Sequence, residues 1–156
     1  MGLKQALRKL KLHTIGRVDR VDFPELGLYD VPAKIDSGAY TSSIHCESLE
    51  AYYESGEHRI AFRLPGSNRL YSAAVYASRR VRNSFGQTAY RYTIKTPVVL
   101  FGKEYPVELA LTDRSAMKYP VLLGRQLLRN RFIIDVTRIN LSFREKSRGS
   151  NKKKKN

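Results

Sequence analysis

The chain has 156 residues, 29 Lys and Arg against 14 Asp and Glu, and a net charge of +15. This length suits one domain, and a 42% hydrophobic content with ten Tyr and six Phe supplies a core, which excludes wholesale disorder. The single cysteine, Cys46, excludes an intramolecular disulfide or a multi-cysteine zinc site and fits a reducing compartment, and no apolar run reaches transmembrane length.

The charge is unevenly placed. Residues 1–11 and 146–156 together carry ten of the cations and no acid, so residues 12–145 are only mildly basic, at +5. The organisation read from this is a basic lead-in over 1–11, a folded domain over 12–145 and a basic tail over 146–156. In the lead-in, Leu3, Leu7 and Leu10 recur at roughly helical spacing among lysines, which fits an amphipathic helix or a frayed tail. The apolar anchors of a membrane-surface helix and the uninterrupted core of a secretory signal are missing, so a cytoplasmic location without membrane contact is expected. The tail has no apolar residue and is expected to be disordered; with the lead-in it suits contact with polyanions such as RNA or the ribosome.

Between the tails the pattern is β throughout. A strand is expected over 14–21, then turns at Pro24, Gly27 and Pro32, and an extended run over 33–35 that ends at Asp36. Another strand is expected over 43–46, with a turn or helix after it. Residues 59–64 and 69–77 flank "PGSN" and form a hairpin. Period two is clearest in 89–100; "FGK" then turns the chain into 106–111, and 121–123 is a short apolar strand interrupted by Gly124. The segment "RQLLRNR" is the one convincing helical piece, and strands over 132–136 and 139–143 close the domain. The sum is an all-β domain, a closed barrel with one short C-terminal helix.

The segment "VPAKIDSGAYTSSIHC" carries the chemistry. A strand delivers Asp36 into a tight turn, the Ser37 hydroxyl can bond within it, and Gly38 lets backbone approach the carboxylate. This is the local chemistry of an aspartic protease, in which two carboxyls share one proton so that one activates water while the other protonates the scissile carbonyl.

Four ordered blocks, "AKIDSGAYTSSIHC", "VRNSFGQTAYRYTI", "VELALTDRSAMKYPVLLGRQLL" and "RFIIDVTR", resemble the bacterial retropepsin-like aspartic protease family that carries the name "ATP-dependent zinc protease" and is often encoded beside α-glutamate ligases that modify ribosomal protein. The resemblance implies catalytic roles for Asp36, Ser37 and Gly38, substrate contact at Ala39, and support of the turn from behind by Leu123, Gly124 and Arg125. It implies a flap at "NSFG", with Phe85 and Gly86 at its tip and Arg79, Arg80 and Arg82 at its base, and a peptide or protein substrate that is acidic or polyglutamate-tailed. The arginines also read as a solvated strand face. Since a retropepsin protomer contributes one Asp and no second Asp-[Ser/Thr]-Gly occurs here, the working form implied is a homodimer. Tyr40 stands where the family usually has Arg.

Neither ATP nor zinc finds support in the residues. No phosphate loop and no His-Glu-x-x-His occurs, and the adjacent His45 and Cys46 point to opposite faces of a strand, so no cofactor and no metal is expected. Two alternatives stay open: a retropepsin-like module that binds peptide without cutting it, and a basic nucleic-acid-binding β-barrel using Tyr71, Tyr76, Tyr90 and Tyr92 as stacking platforms.

Overall fold

The computed structural model describes residues 2–5, 11–82, 84–113 and 115–154, with side chains described as far as residue 149. In chain order the strands are β1 (His13–Ile15), β2 (Val18–Phe23), β3 (Leu28–Ile35), β4 (Ser42–His45), β5 (Glu47–Glu54), β6 (Glu57–Arg63) and β7 (Leu70–Ala74). They continue as β8 (Ala77–Arg82), β9 (Thr88–Leu100), β10 (Lys103–Thr112), β11 (Val121–Leu123) and β12 (Phe132–Ile134). Two helices follow β11 and β12: α1 (Arg125–Leu128) and α2 (Leu141–Lys154).

Six strands close on themselves. The hydrogen-bonded order runs β10, β4, β11, β3, β2, β9, and β9 pairs again with β10 along nine residue pairs from Lys103↔Leu100 to Leu111↔Tyr92. This is the closed all-β barrel expected of the sequence. Its interior holds Val21, Phe23, Ala33, Ile44, Ile94, Val98, Leu100, Leu109 and Leu123, alternate residues of their strands, all of them all but inaccessible to solvent. β8 continues the barrel wall outward from β9, and β5, β6 and β7 form a separate antiparallel sheet whose Ile60 and Phe62 join the same core. Of the lead-in, residues 3–5 make a helical turn and 6–10 lie outside the described residues.

Five expectations are corrected. The strand expected over 14–21 is two strands, because at Gly16 the chain passes under residue 138, where the Arg17 amide donates to the Arg138 carbonyl at 2.9 Å. Pro32 is not a turn residue but part of β3; it lies beyond Ala33, the first residue paired with β11, where one side of the strand is open and the missing N–H is not needed. Glu47–Glu54, expected as a turn or helix, is an edge strand with a register shift and an exposed pattern that hides its pairing. Residues 141–143, expected as part of a strand over 139–143, and residues 146–154 of the tail, expected to be disordered, lie in α2 over Leu141–Lys154, while residues 155–156 lie outside the described residues.

The reason for α2 lies 120 residues away in the sequence. Buried Asp19 on β2 accepts hydrogen bonds at its carboxylate from the Ser142 amide (3.0 Å) and the Phe143 amide (3.1 Å), so it occupies the place of an N-terminal cap. One turn further on, Lys146 Nζ lies 2.8 Å from both Asp22 Oδ2 and Asp30 Oδ1. Burial raises the Asp19 carboxyl above its ordinary range, against hydrogen bonds from the Ser142, Arg20 and Phe143 amides that lower it.

At the other end of the barrel, Gly124 lets β11 run against the chain at residues 39–41. A Cβ there would lie 2.6 Å from the Tyr40 carbonyl oxygen and 2.9 Å from that of Ala39, both backbone atoms with little freedom to move.

Two predictions follow from these contacts. Asp19→Ala leaves the α2 amides without their acceptor and should lower unfolding stability by about 1–3 kcal/mol in urea denaturation. A carboxyl whose folded pKa is raised holds its proton more tightly folded than unfolded, so its contribution is complete below the unfolded pKa and lost as pH rises through the folded one; the stability of wild type relative to Asp19→Asn should fall as pH rises from about 4. Gly124→Ala should cost about 1–3 kcal/mol or more by overpacking, read as a lowered melting temperature.

Candidate active site

Asp36 stands where β3 ends. Its amide donates to the Leu123 carbonyl of β11 at 2.9 Å, which fixes the point at which the strand pair gives way to the turn. The carboxylate Oδ1 then accepts from the Gly38 amide at 2.9 Å, and the Ala39 amide donates to the Asp36 carbonyl at 3.3 Å, so an Asx turn and a backbone turn lock residues 36–39 together. Asp36 is half-buried, while Ser37 and Gly38 are exposed.

The second half of the arrangement comes from β11 and α1. Leu123 is fully buried, and the Gly124 amide donates to the buried Ser42 hydroxyl at 3.0 Å. The Arg125 amide donates to the Ala39 carbonyl at 2.8 Å and the Gln126 amide to the Tyr40 carbonyl at 3.0 Å. The free amides at the start of α1 are thereby satisfied by the turn itself. The Arg125 side chain completes the contact, with one guanidinium nitrogen 3.2 Å from the Ser37 carbonyl and its centre 5.5 Å from the Tyr40 ring. Leu123, Gly124 and Arg125 therefore all meet the Asp36 turn, and the Arg125 guanidinium lies beside Tyr40.

A cleft of about 520 Å³ opens next to the turn, lined by residues including Ala39, Thr41, Arg79, Arg91, Glu108 and Asp113. The flap arginines divide by strand parity. Arg79 and Val81 line the cleft, whereas Arg80 and Arg82 fall on the other face of β8. Phe85, 87% exposed, and Gly86, at φ +78°, sit at the hairpin tip away from the cleft lining; Asn83 lies outside the described residues.

Residues that the sequence reading did not single out complete the lining. Arg91 on β9 stands directly across from Arg79. A hairpin centred on Phe85 pairs positions 79 and 91, so locating the turn centre at "SFG" would have revealed it. Asp113 lies beyond the end of β10, where hydrogen bonds from the Ser115 amide and hydroxyl, and the charge of His45, hold its carboxyl below the usual range; His45 Nδ1 is 3.5 Å from Asp113 Oδ1. Thr112 Oγ1 is buried and without a hydrogen-bond partner among the described residues, and Thr112 lines this cleft.

Among the described residues no group of three or more His, Cys, Asp and Glu is placed to hold a metal ion, so the donor set does not fit zinc. Burial pushes the Cys46 thiol up to about 12, and its Sγ donates to the Ile44 carbonyl at 3.6 Å, a packed thiol rather than a nucleophile. No helix among the described residues is long and apolar enough to cross a membrane.

Comparison with known proteins agrees with this geometry. A protein of unknown function from Legionella pneumophila superposes with a TM-score of 0.69 at 22% identity, covering 83% of this chain and 98% of that one, which shows a shared fold. Proteins named probable alpha-L-glutamate ligase from Desulfotalea psychrophila and Shewanella pealeana are 36% and 35% identical over 127 residues, 78% of this chain. The chain spans only 27–28% of the length of these relatives. The sequence profile of the RimB-like family, described as the retropepsin-like aspartic endopeptidase RimB, matches residues 14–145. With the Asp36 turn, its β11–α1 support and the closed barrel in place, the chain belongs to the RimB-like family of retropepsin-like proteins.

Proposed function

We propose that this protein is an aspartic endopeptidase whose dyad forms from the Asp36 carboxyls of two copies. The observation that carries the reading is the locked turn: the Gly38 amide on Asp36 Oδ1 and the β11–α1 backbone behind it fix half-buried Asp36 in a turn whose Ala39 lines a cleft. One such carboxyl can accept a proton from water but cannot also donate one to the scissile carbonyl. A second Asp36 across a two-fold axis supplies that donor, and the shared proton returns to the nitrogen of the leaving amine when the tetrahedral intermediate collapses. Ser37, exposed beside the carboxyl, is suited to bracing the two turns against each other.

For substrate we propose a peptide or protein that is acidic, including one tailed with glutamate. Arg79 and Arg91, opposite each other on the cleft wall, repel one another unless an anion lies between them, and guanidinium groups bind carboxylates in bidentate fashion. Relatives that carry a matching domain within a longer chain named probable alpha-L-glutamate ligase support a substrate of that chemistry. The flap is the β8–β9 hairpin, closing over the bound chain and excluding water.

Two outcomes are expected. Asp36→Asn should fold and dimerise as wild type does, by thermal melting and sedimentation, yet lose cleavage of a Glu-tailed peptide by about a hundredfold or more; absence of cleavage by wild type at any pH from 4 to 8 would leave a peptide-binding module instead. Arg91→Gln should raise KM for the Glu-tailed peptide by about tenfold while leaving that for a neutral peptide unchanged, because one charge-assisted contact is lost.

A further inference from the structure

The face of the β8–β9 hairpin turned away from the cleft has a chemistry of its own. Four rings lie in series across the junction of the two sheets. Tyr53 stacks on His58 with centroids 4.6 Å apart, His58 meets the Tyr92 ring edge at 5.9 Å, and Tyr92 is followed by Tyr90 at 6.3 Å. Tyr92 is anchored against the core, while the end members are open, Tyr53 at 73% and Tyr90 at 59% exposure. Single exposed aromatics are ordinary on a protein surface, but an unbroken row of four is not accounted for by the barrel core.

The row is flanked by cations and cleared of anions. Arg80 is directly across from Tyr90, and Arg82 from Thr88, on the face opposite to Arg79 and Arg91. From His58 to Lys103 the sequence contains nine Lys and Arg and no Asp or Glu. Glu54 and Glu57, the sequence neighbours of Tyr53 and His58, pair across the hairpin on the other face of β5–β6, where both lie within 4.0 Å of Arg59. On the ring face itself the cations are Arg80 and Arg82 of β8, across from Tyr90 and Thr88.

A row of rings with open ends at Tyr53 and Tyr90, guanidinium groups beside it and an acid-free stretch of sequence over 58–103 together match an unpaired nucleic-acid strand, whose bases need π-faces and whose phosphates need cations. A duplex hides its bases and can use only the charges. An acidic protein could pair with Arg80 and Arg82 but has no use for four rings in a row. The Thr88 hydroxyl beside Arg82 offers a partner to a ribose 2′-hydroxyl, which favours RNA over DNA. We infer that the Tyr53–His58–Tyr92–Tyr90 row, with Arg80 and Arg82, is a binding face for single-stranded RNA, separate from the Asp36 cleft.

The test is fluorescence anisotropy of the full chain with a labelled twelve-nucleotide oligouridylate, a DNA strand of the same length and an RNA duplex, at 50 and 200 mM salt. Binding should be tightest to the RNA single strand and should quench tyrosine emission, which no Trp obscures. Tyr53→Ala with Tyr90→Ala, both exposed enough to leave the melting temperature unchanged, should weaken single-strand binding about tenfold or more while leaving duplex binding within about twofold. Arg80→Ala with Arg82→Ala should weaken single strand and duplex alike and flatten the salt dependence. Replacing Lys152, Lys153, Lys154 and Lys155 by Gln should leave the preference for the single strand in place. Asp36→Asn should bind RNA as wild type does, so the fate of this face and that of the proposed peptidase are read separately. Affinity no greater for RNA single strand than for DNA or duplex, no effect of the tyrosine pair, loss of all binding with the tail lysines, or displacement of the RNA by a polyglutamate peptide that the tyrosine pair binds equally well would each overturn the inference.

Discussion

A Cβ at position 124 would sit 2.6 Å from the Tyr40 carbonyl oxygen, and around that one intolerance the rest of the site is arranged. Because only hydrogen fills the space, β11 can end against residues 39–41, the Arg125 and Gln126 amides can reach the Ala39 and Tyr40 carbonyls, and the Leu123 carbonyl can take the Asp36 amide. The turn is then held by main-chain bonds on both sides, and the carboxylate takes a main-chain bond of its own from the Gly38 amide. A group held in this way loses little freedom when it meets substrate, which is what proton transfer in a fixed geometry requires. It also explains why the turn can stand half-exposed at a cleft without fraying.

The β8–β9 hairpin shows how period two assigns separate tasks to one piece of chain. Odd-numbered Arg79 and Arg91 face the cleft beside Ala39, and even-numbered Arg80 and Arg82 face outward with Tyr90 and Tyr92. A shift of one residue in the register would exchange the two sets completely. The register is secured by pairing over Ala77–Arg82 with Thr88–Thr93 and continues down β9 into the barrel. The net positive charge of residues 12–145 comes from 58–103, with nine cations and no acid, while the rest of that stretch carries ten cations against 14 acids.

How much of this the sequence discloses depends on how local the cause is. The Asp36 turn, the Val121–Leu123 strand and the helix after Gly124 are readable because Asp-Ser-Gly, a three-residue apolar run and "RQLL" each carry their own signal. β5 is not readable, since an exposed edge strand with a register shift shows no alternation. Ile139, Leu141 and Phe143 alternate as a strand would, yet a helix forms because Asp19, Asp22 and Asp30, remote in sequence, supply the amide acceptor and the anions that pair with Lys146. Arg91 and Glu108 on their strands, and Asp113 just beyond β10, come together at the cleft only once the barrel closes, so no local pattern shows that they share it.

The central claim is a dyad built from two copies, and mixing wild type with Asp36→Asn tests it most directly. At fixed total protein, with exchange complete and concentration well above that needed for dimers, an active site that needs one Asp36 from each chain loses activity as the square of the wild-type fraction, so an equal mixture retains about a quarter of the cleavage rate. Decline in simple proportion to the wild-type fraction, with about half the rate in the equal mixture, would mean that each chain acts alone and would contradict the account.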